Sequence, residues 1–266
     1  MKIKLFQVDA FTDRVFAGNP AAVCPLDHWL PETVMQQIAM ENNQAETAFF
    51  VGKGPRFDIR WFTPAVEVDL CGHATLAAAF VIFQCMSFPE RIIEFSSRSG
   101  LLRVMKDGDM LTLDFPADRP LEASAPAGLV AAIGLQPLEI YKGKTDYMLV
   151  YASPEEIENL KPDMDRLAGI AARGVIVTAP GRDVDFVSRF FAPQSGIAED
   201  PVTGSAHTTL APYWAARLGR TELGAQQLSK RRGRLRCRLA GDRVEISGQA
   251  RAYMAGEIDL DLPAAF

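Results

Sequence analysis

The sequence predicts an α+β chain built as two similar halves, and three observations predict it. Its 266 residues are too many for one small domain and comfortable for two halves of roughly 130 residues each. Hydrophobic residues make up 48% of the chain, enough for a core in each half. The third observation is an internal repeat. Phe57, Arg60, Phe62 and Pro64 recur at a constant offset as Phe186, Arg189, Phe191 and Pro193. After a short insertion in the second copy the match resumes, with Glu67, Gly72 and Ala74 answering to Glu199, Gly204 and Ala206.

Both copies follow one plan. An alternating strand is stopped by Pro, which cannot donate to a sheet ladder. A loop with acidic residues follows, and Gly makes the tight entry into an apolar helix, expected over Ala74–Phe83 in the first half and Ala206–Leu218 in the second. Ahead of the first copy, Lys2–Asp9, Ala21–Cys24 and Ala48–Val51 read as strands, and Pro31–Asn42 as a helix with Pro at its start and Val34 and Ile38 at helical spacing. Asp58–Phe62, Ile92–Ser96, Gly100–Lys106 and Met110–Phe115 continue the first sheet, with Asp107-Gly108 as a hairpin turn. Pro116 to Pro126 reads as a linker. Beyond it come a helix at Pro126–Ile133, strands near Tyr147–Tyr151 and Gly174–Thr178, and a capping box at Ser153-Pro154-Glu155-Glu156. The end is strand-rich: Arg234–Leu239, Arg243–Ser247 and Ala250–Leu260. The expected domains are 1–117, joined by a last strand at about 255–266, and 127–254.

Composition narrows the function. A net charge of −5 gives no long-range attraction for nucleic acid or anionic lipid. The one basic run, Lys230-Arg231-Arg232-Gly233-Arg234, reads as a solvated strand edge or turn. Cys24, Cys71, Cys85 and Cys237 form no C-x-x-C pair, so a reducing, cytoplasmic compartment is expected. The N-terminus begins at once as a strand, without a signal-peptide core, and no apolar run approaches the ~20 residues of a membrane helix. Dinucleotide and phosphate-loop motifs are missing, as is a nucleophile elbow, and His28, His73 and His207 lack metal-ligand spacing. Neither a cofactor nor a metal is expected. Acid–base work by Glu, His and Asp is the chemistry whose parts are present.

Two Gly-opened helix N-termini offer N–H groups and a positive dipole end to a carboxylate or phosphate. The first carries Cys71-Gly72-His73-Ala74-Thr75, the second Glu199-Asp200-Pro201-Val202-Thr203-Gly204-Ser205. If the repeat sets them face to face, one cleft holds both. At a helix N-terminus the His73 imidazole is expected neutral. Glu46, entering the apolar strand Thr47-Ala48-Phe49-Phe50, is expected to be partly desolvated, with its pKa raised toward neutrality. Cys71 reads as a packed small residue. The second loop holds no cysteine, which argues against a two-cysteine racemase mechanism.

At these residues the chain resembles the PhzF-like family of the diaminopimelate-epimerase fold, over essentially its whole length. The matching motifs are Val8-Asp9-Ala10-Phe11-Thr12 with Phe16-Ala17-Gly18-Asn19-Pro20; Glu46-Thr47-Ala48-Phe49; Arg60-Trp61-Phe62-Thr63-Pro64 leading to Cys71-Gly72-His73-Ala74-Thr75; and Phe191-Ala192-Pro193 leading to Glu199-Asp200-Pro201-Val202-Thr203-Gly204-Ser205-Ala206. The resemblance implies two barrel-like halves, each a mixed, largely antiparallel sheet curled around a central helix, and a homodimer without cofactor or metal. It implies a cofactor-independent isomerase that shifts a proton on a small carboxylate in the interdomain cleft. Glu46 is then the acid–base, His73 and Asp200 its catalytic partners, and Asn19, Gly72, His73, Gly204 and Ser205 the substrate-binding residues. The family's phenazine-biosynthesis isomerase has another small residue before the Gly and Pro after the His, so Cys71 and Ala74 are a departure that argues against the phenazine substrate and not against the proton-transfer chemistry. The rival readings are an amino-acid epimerase or racemase, and a non-catalytic small-molecule-binding protein on the same fold.

Overall fold

The computed structural model describes residues 1–54 and 56–260. The chain divides into two compact units, one of Met1–Asp114 with the C-terminal segment from Ser247, the other of Phe115–Ile246. Residues 247–254 group with the first unit, and the expected linker groups with the second. The last strand runs Ala250–Asp259; residues 261–266 of its expected span lie outside the described residues.

In the first unit Lys2–Ala10 pairs antiparallel with both Ala250–Asp259 and Asn19–Leu26. Asn19–Leu26 then runs parallel to Glu46–Lys53, which is antiparallel to Arg56–Phe62. Arg56–Phe62 runs parallel to Ile92–Ser97, and that strand is antiparallel to Gly100–Asp107. The second unit repeats the succession. Glu139–Lys142 and Asp146–Val150 are antiparallel, Asp146–Val150 and Gly174–Pro180 parallel, Gly174–Pro180 and Phe186–Phe191 antiparallel. Phe186–Phe191 is then parallel to Glu222–Gln227, which is antiparallel to Gly233–Ala240. The repeat read in the sequence is therefore a repeat of topology, and each unit is a mixed sheet with helices.

Each sheet is covered on both faces. The helix Gly72–Phe80 packs on Lys2–Ala10, Asn19–Leu26, Glu46–Lys53 and Ala250–Asp259, and its residues from His73 to Ala79 are all buried. A helix hydrophobic all round belongs inside a core. The other face is covered by Glu32–Asn42, whose Val34, Met35 and Ile38 meet Cys24, Phe49 and Phe62. In the second unit the short helices Leu129–Ile133, Pro154–Glu158 and Met164–Ala168 cover Leu149, Val175, Val177 and Phe191. Double coverage explains strands such as Gly174–Pro180 that are apolar at nearly every position.

Two details differ from the sequence reading. The first apolar helix begins at Gly72 and ends at Phe80, after which Val81–Cys85 forms one π-helical turn. The unbroken apolar run Ala74–Phe83 gives no periodicity by which to see that change of winding. The second helix runs Gly204–Leu218 with Pro212 inside it. Among the described residues no helix is long and apolar enough to cross a membrane.

The repeated residues form the same brace in each unit. Arg60 Nε and Nη2 donate to the two carboxylate oxygens of Glu67, both at 2.7 Å, with the guanidinium 5.2 Å from the Phe62 ring centroid. Arg189 Nε and Nη2 donate to the two oxygens of Glu199 at 2.7 and 3.0 Å, and its guanidinium lies 4.8 Å from the Phe191 ring. A side-on fork of this kind fixes orientation as well as distance. Each brace ties the end of a strand to the loop that enters the Gly-opened helix.

Candidate active site

In the first unit three segment starts converge. Asn19 opens its strand, Glu46 opens the neighbouring parallel strand in register with Ala21, and Gly72-His73 open the helix. The turn into Asn19 depends on Gly18, whose φ is +65° and whose added Cβ would lie 2.1 Å from the Ala10 carbonyl oxygen. Asn19, Glu46, Cys71 and His73 are all buried. Asn19 Nδ2 lies 3.1 Å from His73 Nδ1, and Cys71 Sγ lies 3.5 Å from the same nitrogen. His73 Nε2 stands 3.1 Å from Glu46 Oε2. That contact is a charge contact out of hydrogen-bond alignment, and among the described residues neither atom has a hydrogen-bond partner.

Charge placement here reverses the sequence expectation. Burial alone raises the Glu46 pKa, but the adjacent His73 imidazole overrides it and holds the carboxyl below its usual value. Burial alone lowers that of His73, but Cys71 and Glu46 hold it well above the usual imidazole value. Burial lifts the Cys71 thiol to about 11, so near neutral pH Cys71 is uncharged and Glu46 is the partner that matters. The expected raised Glu46 and neutral His73 are thus replaced by a carboxylate–imidazolium pair. Placing the groups separately on a strand and a helix end could not show their contact, which is tertiary.

The second unit holds the other expected residues. Asp200 is buried, and its Oδ2 accepts from Thr203 Oγ1 at 2.5 Å. Gln227, wholly buried on Glu222–Gln227, accepts from Thr203 N at 2.9 Å and donates to Asp200 O at 2.7 Å and Thr203 Oγ1 at 3.2 Å. Gly204 opens the helix, and Ser205 Oγ in its first turn accepts from Arg173 Nη1 at 3.0 Å. Arg173 is itself forked onto buried Asp146, with Nε 2.9 Å from Oδ1 and Nη2 on Oδ2. His207 donates through Nδ1 to Thr203 O at 2.8 Å, and burial pushes its pKa down to about 4, so it is neutral.

Asn19, Glu46, Gly72 and His73 are brought together in one unit, and Asp200, Gly204 and Ser205 in the other. Sequence reasoning missed Thr203, Gln227 and Arg173. The repeat held a signal for the first, because Thr203 stands before Gly204 as Cys71 stands before Gly72. Gln227 and Arg173 carry no local signal. Chemically, the first cluster can exchange one proton between a carboxylate and an outside group, and it offers thiol, imidazole and carboxylate as metal ligands.

The model of the family described as "Phenazine biosynthesis-like protein" matches residues 8–256. An uncharacterized isomerase of Pseudomonas aeruginosa is 53% identical over 260 residues, covering 98% of this chain and 100% of that protein. The crystal structure of a PhzF-family phenazine biosynthesis protein from Enterococcus faecalis superposes with a TM-score of 0.95 at 48% identity, covering 98% of this chain and 100% of that one. A hydroxyproline epimerase from Agrobacterium vitis shares the fold at a TM-score of 0.63 and 11% identity, over 98% and 94% of the two chains. Matched by the family model over residues 8–256 and by such relatives from end to end, the chain belongs to the phenazine biosynthesis-like family and is one of its isomerases.

Proposed function

We propose that the protein moves a proton between two positions of a small carboxylate-bearing substrate, without a cofactor, and that Glu46 carries the proton. The observation behind this reading is the Glu46–His73 contact of 3.1 Å, with both side chains buried. A carboxylate held ionised beside an imidazolium is a base ready to accept a proton from an activated carbon. Once protonated, it is the acid that returns that proton at another carbon. His73, carrying the pair's own proton, hydrogen-bonds and polarises the substrate. Asn19 sets the orientation of its ring.

Asp200 is proposed to hold a polar substituent of the substrate, and the backbone of Gly72 and Gly204 with Ser205 Oγ to hold its carboxylate. Arg173 already donates to Ser205 Oγ, so the hydroxyl's own proton points elsewhere, as a carboxylate-binding donor requires. A two-base epimerase finds less support. The counterpart of Cys71 is Thr203, whose hydroxyl is committed to Asp200.

The test is proton exchange in heavy water with a panel of cyclic and acyclic amino and hydroxy carboxylates. Wild type is expected to incorporate deuterium with one class, and Glu46→Gln to lose about 10²–10⁴ in rate. Exchange that survives in folded Glu46→Gln would overturn the assignment.

A further inference from the structure

Two buried polar atoms that face each other without hydrogen-bonding to anything are an expensive arrangement. Among the described residues His73 Nε2 and Glu46 Oε2 are such a pair, 3.1 Å apart. A third donor belongs to the same cluster. One ligand atom from each of Glu46, Cys71 and His73 lies within 4.8 Å of the other two, and all three residues are buried. Tetrahedral zinc holds thiolate, imidazole and carboxylate at 2.0–2.3 Å, which sets neighbouring ligand atoms about 3.3–3.6 Å apart. Glu46 Oε2 and His73 Nε2 stand near that spacing already, while Cys71 Sγ, 3.5 Å from the ring's other nitrogen, has to turn toward the ion.

We propose that Glu46, Cys71 and His73 form a three-ligand site for a thiophilic divalent cation of the zinc class, and that its occupation shuts off the proton-transfer pair. Binding forms three bonds to the ion, from thiolate sulfur, imidazole nitrogen and carboxylate oxygen, and leaves a fourth position for water. The Cys71 thiol proton is released, together with the proton that the His73–Glu46 pair holds. No electron changes hands. The ion takes the carboxylate that would act as base, so the cation inhibits. The inhibition rests on the proposed function; the binding does not.

The experiment uses the full chain, reduced and stripped with a chelator, and Co²⁺ as the optical probe. The expected result is one Co²⁺ per chain with thiolate-to-cobalt charge-transfer absorption, displaced by Zn²⁺ with proton release into weakly buffered solution. Cys71→Ser should lose the band and weaken Zn²⁺ binding at least about tenfold, while Cys85→Ser, at an exposed cysteine, keeps both. Glu46→Gln should weaken binding while keeping the band, which guards against a misfolded Cys71 variant. No band in wild type, or a band that persists in Cys71→Ser, overturns the site. Zn²⁺ should abolish deuterium exchange and EDTA restore it; exchange indifferent to saturating Zn²⁺ overturns the shut-off. A cobalt band in a chain that exchanges with no substrate, metal-free, upholds the site and counts against the catalytic reading alone.

Discussion

His73 Nε2 stands 3.1 Å from Glu46 Oε2, with only 7% and 12% of the two side chains exposed. The pair makes stability depend on pH in a definite sense. His73 has a folded pKa above its ordinary 6.5, so its contribution is complete below about 6.5 and is lost as pH rises through the folded value. Glu46 has a folded pKa below its ordinary 4.5, so its contribution is complete above about 4.5 and is lost as pH falls through the folded value. The stability gap between wild type and a Glu46→Gln/His73→Gln double variant is therefore largest from about pH 4.5 to 6.5. Urea midpoints across pH 3–9 check this, and a gap that does not vary with pH would contradict it. In Glu46→Gln alone, the His73 imidazole resonance should titrate at lower pH than in wild type.

Thr203 and Gln227 hold Asp200 in place. Thr203→Val removes a hydroxyl that donates to Asp200 and accepts from Gln227. It should lower kcat about tenfold or more with KM little changed, while Thr203→Ser retains activity. Gln227→Leu removes the acceptor of Thr203 N in a dry site, a cost of about 1–3 kcal/mol read by chemical denaturation. A Thr203→Val enzyme with wild-type kcat would remove the residue from this role.

The two braces should respond alike. Arg60→Met leaves Glu67, 7% exposed at its side chain, without its fork, and Arg189→Met does the same to Glu199. Each should lose about 2 kcal/mol, by the usual worth of hydrogen bonds to charged groups. Lysine at either position should recover only part, since it lacks the planar fork. Equilibrium unfolding of the four variants tests the parity.

Much of this was legible in the amino-acid order because the repeat marks the same local events twice. The Pro after Phe62 and Phe191 and the Gly before each helix are local instructions, and a strand, a loop and a helix start follow from them. Glu46 and His73 were legible as residues and not as a pair. The parallel register of Ala21 with Glu46 brings them together, and that register belongs to the sheet, not to either segment. The charge states followed contact, so they could not be read. Arg60, Glu67, Arg189 and Glu199 all stood in the repeat, yet only the folded chain shows that they bond to one another. Gln227 reaches Thr203 from a strand beyond the helix, a distance no local pattern spans.

Gly18→Ala tests the turn that delivers Asn19. The backbone sits at φ +65°, and the new Cβ would meet a main-chain oxygen with no flexible end to yield. The loss should exceed about 1 kcal/mol and appear as a lowered Tm. Gly196→Ala, also at positive φ but with open space around it, should cost less. Equal losses would show that backbone conformation alone sets the penalty.

The paired braces bear on how such a molecule came to be. Arg, Glu and Phe occupy equivalent places in both units, while the residues at the two helix starts differ: Cys71 and His73 in one, Thr203 and Ser205 in the other. The framework that aims each helix start is therefore separable from the side chains it presents. One armature, used twice, carries two different sets of groups, and either set can be exchanged without disturbing the strand, loop and brace behind it.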